Sequence, residues 1–170
     1  MKIKVAGEED LSTIRQLAYS IWPHSYTKIL GAKQVDYMLQ KLYSPDALKN
    51  ELNNGHHFIL ISEEEKPIAF AAFSMHENDP RVYHLNKIYV LPFHQGKNLG
   101  KQIINYVITE IKKMGATSLQ LNVNRHNAAI HFYEKQGFKI IRTEDIDIGE
   151  GYFMNDYVME KKLYPDKNTI

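Results

Sequence analysis

The sequence predicts an α/β fold: a single domain over residues 1–170 with a mixed central sheet of six or seven strands, flanked by helices, and a helical insert after the first strand. Three observations predict it. Helical periodicity fills most of residues 8–53, directly behind a short first strand. Strand-like runs then come in a block of three, followed by one and finally by two. Two further amphipathic stretches separate those later runs, so strands and helices alternate toward the end of the chain.

Residues 2–5 read as the first strand. Residues 8–22 read as a helix, because Leu11, Ile14, Leu17, Ala18 and Ile21 recur at helical spacing and Glu8, Glu9 and Asp10 suit its positive N-terminus. Pro23 is expected to end it. Val35, Met38, Leu39 and Leu42 share one face of a second helix over 33–43. Ser44 and Pro45 open a third over 45–53, which Asn53-Asn54-Gly55 stops. Residues 58–61 and 68–75 form a hairpin around the charged turn Glu63-Glu64-Glu65-Lys66, and 82–90 add a third strand that stops before Pro92. A long helix runs from about 98 to 114, with Leu99, Ile103, Tyr106, Val107, Ile108 and Ile111 apolar and Gly115 at its end. Residues 118–123 alternate as a strand, and 127–136 form a helix ended by Gly137. Residues 138–141 and 152–159 make two last strands around Gly149-Glu150-Gly151. The tail from Tyr164 is expected to be loose.

Bulk composition removes several chemistries. There are no cysteines, which excludes disulfides, a thiol nucleophile and thiolate metal sites. The formal net charge is +1, and the chain has no basic stripe with interleaved aromatics, so nucleic acid is not an expected partner. No apolar run of transmembrane length occurs, so no membrane partner is expected. No signal-peptide core follows the first lysines, which makes the cytoplasm the expected compartment. The eight histidines do not form a metal pattern: His56 and His57 are adjacent, and His126 and His131 miss the helical i, i+4 spacing. No metal is expected.

The informative segment is 91–101, Leu-Pro-Phe-His-Gln-Gly-Lys-Asn-Leu-Gly-Lys. A strand ends, a flexible loop follows and a helix starts. The first turn of a helix offers unpaired N–H groups and partial positive charge, which suit a phosphate or pyrophosphate. Gly96 and Gly100 allow close backbone approach, Asn98 tolerates a left-handed conformation, and Lys97 and Lys101 add charge. Read this way the loop is an anion cradle; the alternative is a plain strand-to-helix turn. The glycine spacing fits neither a dinucleotide fingerprint nor a Walker A loop.

At this loop the sequence resembles the GNAT superfamily of N-acetyltransferases. Their acyl-CoA motif places Gln or Arg before x-x-Gly-x-Gly/Ala, and Gln95, Asn98 and Gly100 fall on those positions, with Asn98 departing from the usual glycine. A second block, Asn124, Asn127, Ala128, Ala129, Tyr133, Glu134, Lys135, Gly137 and Phe138, is similar to the family's Asn-x-x-Ala-x-x-x-Tyr-x-x-x-Gly-Phe pattern. The flanks, 22–44 and 151–159, look like those of bacterial spermidine/spermine N-acetyltransferases.

The resemblance implies acetyl-CoA as co-substrate, a primary amine as the small-molecule acceptor and direct transfer between them. It places the pantetheine arm against the backbone of Ile88 and Val90. It places the pyrophosphate on the backbone of Gln95, Gly96, Lys97, Asn98, Gly100 and Lys101. Asn127 maps to a contact with the cofactor arm and Lys135 to the adenosine-phosphate region. Tyr133 maps to the acid that protonates the leaving CoA thiolate, a role that suits a phenol; its alternative is a helix aromatic packed beside Phe132. His84 occupies the strand position where some members carry a carboxylate base, and imidazole can serve there directly or through water. Polyamines are the first expectation for the acceptor, with Asp36, Glu77, Asp79 and Asp156 as candidate carboxylates and Trp22, Tyr26 and Tyr37 as candidate walls. Each of these has a surface or packing role as its alternative, which for Trp22 is packing of the insert on the sheet. Peptide or protein N-acetylation, and a catalytically silent acyl-CoA-binding module, are the competing functions. A monomer or a homodimer is expected, the latter through an exposed final strand.

Overall fold

The computed structural model describes residues 1–164; the tail beyond Tyr164 lies outside them. The elements run in order as β1 (Lys2–Val5), α1 (Leu11–Leu30), α2 (Ala32–Leu42), α3 (Pro45–Asn53), β2 (His57–Glu63), β3 (Lys66–His76), β4 (Asp79–Val90), α4 (Leu99–Lys113), β5 (Ser118–Asn124), α5 (Ala129–Lys135), β6 (Lys139–Gly149) and β7 (Tyr152–Lys162). The seven strands form one mixed sheet ordered β1-β2-β3-β4-β5-β7-β6. By contact density the chain divides into two compact units: Met1–Ser74 with Asn86–Ile103, and Met75–Leu85 with Ile104–Ile170.

The first unit carries the helical insert. Leu11, Ile14, Leu17, Ala18, Ile21 and Trp22 form a buried stripe along α1, which packs against α2 and α3. Pro23 does not end this helix; it lies inside it, and α1 runs on to Leu30. An interior proline costs about 3 kcal/mol in helix propensity, and burying side chains such as Ile21 and Trp22 at about 1.5–3 kcal/mol each offsets it. The end falls instead at Gly31, which takes φ +83° while its N–H bonds the Thr27 carbonyl at 2.9 Å. Ser44 caps α3 by accepting from the Ala47 N–H at 3.1 Å, with Pro45 at the first helical position. Strands β2 and β3 pair antiparallel through a turn in which Glu64 and Glu65 both have positive φ, the twist a two-residue hairpin favours.

A buried ion pair ties α3 to β4. The Lys87 ammonium lies 2.7 Å from the Glu51 carboxylate, with side chains only 10% and 22% exposed. Lys87 also sits 5.4 Å from the centroid of the Tyr43 ring and 5.9 Å from that of Phe58. Burial alone would raise the Glu51 carboxyl, but the His56 hydrogen bond and the Lys87 charge outweigh it and hold Glu51 below its ordinary range.

In the second unit β4 and β5 run parallel over Val82–Leu85 and Ser118–Leu121, while β5 pairs antiparallel with β7, and β7 with β6. The last two strands are eleven residues each, much longer than the sequence suggests, because β6 is exposed along most of its length and lacks a strong apolar alternation. The final strand is not an edge. It lies between β5 and β6, so the dimer route through an exposed last strand is lost; the edge is β6, which register shifts interrupt near Ile141 and Ile148. No helix among the described residues is long and apolar enough to cross a membrane.

Glu51→Gln leaves the Lys87 charge buried without its counter-ion and is expected to cost about 3 kcal/mol. In a chain of this length that lowers Tm by roughly 6–12 °C at neutral pH. A carboxyl lowered in the folded state contributes its stability above its unfolded value, near 4.5, and loses it as pH falls through the folded one. Thermal melts of parent and variant therefore converge below pH 4.5; curves that already coincide at pH 7 would show that the pair contributes nothing.

Candidate active site

The first unit holds the loop. β4 ends at Val90, and the Leu91 N–H bonds the Ile68 carbonyl at 2.9 Å. A 3₁₀ turn over Pro92–His94 follows, and His94 Nδ1 lies 3.2 Å from Glu63. The Gln95 side chain donates from Nε2 to the Val90 carbonyl at 3.0 Å, so it closes the loop on itself. Gly96 (φ +81°) and Asn98 (φ +62°) are both left-handed. A Cβ at Gly96 would meet nothing within 4 Å, so conformation rather than space selects glycine there. At Asn98 the tolerance anticipated from sequence is used. Leu99, buried, then starts the fifteen-residue α4, whose first-turn N–H groups have no partner within the helix. Lys97 and Lys101 are exposed on either side of that start. The segment thus has the backbone and charge of an anion cradle, with Ile88 and Val90 half-buried on the strand that leads into it.

An aromatic cluster fills the same unit. Trp22 is 4% exposed, and its ring centroid lies 4.8 Å from that of Tyr26, 5.6 Å from Tyr43 and 5.7 Å from Tyr89. Trp22 is therefore packing, as its alternative held. Tyr26 and Tyr89 are half-buried, with hydroxyls 3.2 Å apart. Tyr89 was not singled out in the sequence; it carries no motif, only its place on the strand. The Lys41 ammonium lies 5.7 Å from the centroid of the Tyr37 ring. Asp36 is exposed and accepts from Gln40.

The second unit holds a row of polar side chains across four strands. His84 on β4 has Nε2 2.9 Å from Asn122 Oδ1 on β5. Asn122 Nδ2 donates to Glu144 Oε2 on β6 at 3.1 Å and to Asp156 Oδ2 on β7 at 3.3 Å. Arg125, just after β5, pairs with Asp145 and also donates to the Glu144 carbonyl. Asp156 is 5% exposed. Burial pushes its carboxyl up, and the Glu144 charge pushes the same way, against the Asn122 hydrogen bond and the Arg125 and His84 charges. Of the candidate acceptor carboxylates only Asp156 is buried, since Glu77 is exposed and Asp79 is tied to Arg81. Asn122, Glu144 and Arg125 were missed. The alternation of 118–124 puts Ser118, Gln120, Asn122 and Asn124 on one face, but which strands face them depends on register.

Helix α5 carries the remaining candidates. Asn127 Oδ1 accepts from the Ala129 N–H at 2.9 Å, so its side chain caps the turn into α5. Tyr133 is half-buried, edge-on to Phe132 at 5.4 Å and to Phe138 at 5.9 Å. Its carbonyl accepts from the N–H groups of Gln136 and Phe138 at the helix end, where Gly137 takes φ +94°. Lys135 is exposed in the last turn. Among the described residues no group of three or more His, Asp or Glu side chains is placed to hold a metal ion.

Comparison with known proteins agrees with this reading of the elements. The chain is 27% identical over 168 residues to a spermidine N(1)-acetyltransferase of Thermoplasma acidophilum, a match covering 95% of this chain and 97% of that one. It is 28% identical over 111 residues to a ribosomal protein bS18-alanine N-acetyltransferase of Haemophilus influenzae, covering 65% and 70%. The crystal structure of the PaiA N-acetyltransferase from Thermoplasma acidophilum, in complex with coenzyme A, superposes with a TM-score of 0.79 at 26% identity, over 96% of this chain and 100% of that one. The acetyltransferase (GNAT) family profile matches residues 13–138, and the chain belongs to that family.

Proposed function

We propose that the protein, acting as one N-acetyltransferase domain, moves an acetyl group from acetyl-CoA to a primary amine of a polyamine such as spermidine. The observation that carries the cofactor half is the left-handed backbone at Gly96 and Asn98 directly before α4, flanked by Lys97 and Lys101. The backbone of residues 95–101 would hold the pyrophosphate, Ile88 and Val90 the pantetheine arm, Asn127 a further part of that arm, and Lys135 the adenosine phosphate. The polyamine half is supported by the end-to-end match to a spermidine acetyltransferase and by the half-buried Tyr26 and Tyr89 rings, which suit an alkyl cation.

In this reading His84 accepts a proton from the acceptor ammonium. The freed nitrogen attacks the thioester carbonyl and a C–N bond forms; as the C–S bond breaks, the nitrogen loses its second proton to solvent, from which Tyr133 later regains the one it gives. Tyr133 gives its phenolic proton to the departing thiolate. Holding amine and thioester together supplies much of the rate, and no acyl-enzyme is needed. A protein N-terminus is the second reading for the acceptor, supported by the match to the bS18-alanine acetyltransferase.

CoA release is to be measured with spermidine, spermine, free amino acids, an aminoglycoside and a short peptide beginning with alanine. Fast release with the polyamines is the expected result; release with the peptide alone would move the function to protein acetylation. No release with any amine, with acetyl-CoA still bound in calorimetry, would favour the silent module.

Tyr133→Phe is expected to lower kcat roughly 100-fold, within the range that a positioned acid supplies. The calorimetric Kd for acetyl-CoA should stay within about twofold, because the lost proton acts only in the transition state. An unchanged kcat would remove Tyr133 from the chemistry.

A further inference from the structure

We infer that Asn122 is a positioning residue that fixes His84 as its Nε2–H tautomer, so that the Nδ1 lone pair is the one that receives the acceptor's proton. The second clause rests on the general-base role proposed for His84; the first stands on hydrogen-bond capacity alone. Asn122 lies between two carboxylates and one imidazole, at 3.1 Å from Glu144, 3.3 Å from Asp156 and 2.9 Å from His84. A carboxylate can only accept, so the two carboxylates must face the amide NH₂ group. An amide has two N–H donors, and both are then committed. Its carbonyl oxygen is left for His84, and a carbonyl oxygen also only accepts. The Nε2 atom must therefore carry a hydrogen. Protonation of Asp156 does not undo this, because Glu144 alone keeps the amide from turning over.

A neutral imidazole carries one ring proton. With that proton held on Nε2, the lone pair sits on Nδ1. When Nδ1 takes a proton the Nε2–H bond to Asn122 is kept and strengthened, since a charged donor binds a carbonyl more tightly. The charged groups around this chain are Glu144 from β6, Asp156 from β7 and Arg125 from the segment after β5. Arg125 is engaged with Asp145 and the Glu144 carbonyl. The arrangement does for His84 part of what a carboxylate partner does for a catalytic histidine elsewhere: it chooses the nitrogen and aims the ring. It does so through an amide, which adds no charge of its own.

The test is a long-range ¹H–¹⁵N spectrum of histidine-labelled protein, recorded above the imidazole titration, with His84→Gln identifying the signal. The parent is expected to show a protonated-type Nε2 and an unprotonated-type Nδ1, and Asn122→Leu is expected to average the two. A proton on Nδ1 in the parent, or a spectrum that Asn122→Leu leaves unchanged, overturns the inference. The parent spectrum decides the tautomer even where the Asn122→Leu protein does not fold. In kinetics, Asn122→Leu should lower kcat roughly tenfold to a hundredfold, part of the roughly 10²–10⁴ that a positioned base supplies. It should leave KM for acetyl-CoA in place. If His84→Gln slows turnover and Asn122→Leu matches the parent in rate and spectrum, the positioning role fails and the base role stands. If His84→Gln retains the parent rate and pH profile, the base role fails, while the tautomer is still decided by the spectrum.

Discussion

Strand β4 carries two kinds of chemistry on one stretch of backbone, because successive side chains of a strand must point to opposite faces. In its first half Tyr83 and Leu85 are buried, and His84 between them turns toward Asn122. In its second half Lys87 and Tyr89 lie against aromatic rings of the helical insert, while Asn86 donates to Ser74 on β3. The strand cannot shift by one residue without moving His84 into the core and a buried tyrosine into the polar row. Lys87 makes the constraint stronger. A buried ammonium needs its counter-ion, Glu51 sits near the end of α3, and so the insert is held in register with the strand by charge as well as by apolar contact.

The polar row shows the same economy in a different form. Two carboxylates on neighbouring strands repel one another, and the burial of Asp156 makes that repulsion stronger. Asn122 lessens the cost by donating one N–H to each. Arg125 adds a positive charge nearby and ties the end of β5 to β6 through its side chain and to β7 through its backbone N–H, which bonds the Asn155 carbonyl at 3.0 Å. Each buried acceptor thus finds a donor, and one atom of the set, the Asn122 carbonyl, is left over for His84. The orientation of a single amide couples a structural need of the sheet to the tautomer inferred for His84.

Much of the fold was legible because its signals are local. Periodicity and turn signals located the five α-helices and seven strands of the described residues, and Gly55, Gly115 and Gly137 each take the positive φ that a turn or helix end requires. The misreading at Pro23 has a physical cause: a proline penalises a helix but does not forbid one, and the buried stripe of α1 outweighs it. The loop before α4 was also legible, since Gly96, Asn98 and Gly100 sit within five residues and their conformational preferences are intrinsic. The polar row was not. His84 and Asn122 are 38 residues apart, Asn122 and Asp156 are 34, and Asn122 and Glu144 are 22. Nothing local in an asparagine announces that strand register will set two acids and an imidazole around it. Sequence could name His84 and Asp156 separately, but only the register of β4, β5, β7 and β6 joins them.

The choice of an amide at position 122 has a consequence for the chemistry proposed. A primary amine with a pKa near that of lysine arrives at neutral pH as an ammonium, and only the neutral amine attacks a thioester. Negative charge around the acceptor helps to bind the cation but raises its pKa, and each unit of increase lowers the neutral fraction about tenfold. A carboxylate in place of Asn122 would push both ways at once. It would hold the ammonium more tightly, and it would raise the cost of taking the proton away. An amide keeps the geometry of a carboxylate partner without the third negative charge. Burial, which pushes the Asp156 carboxyl up, acts in the same direction. A site that must both attract a cation and strip a proton from it gains from placing its charges one hydrogen bond away from the base, with a neutral group between.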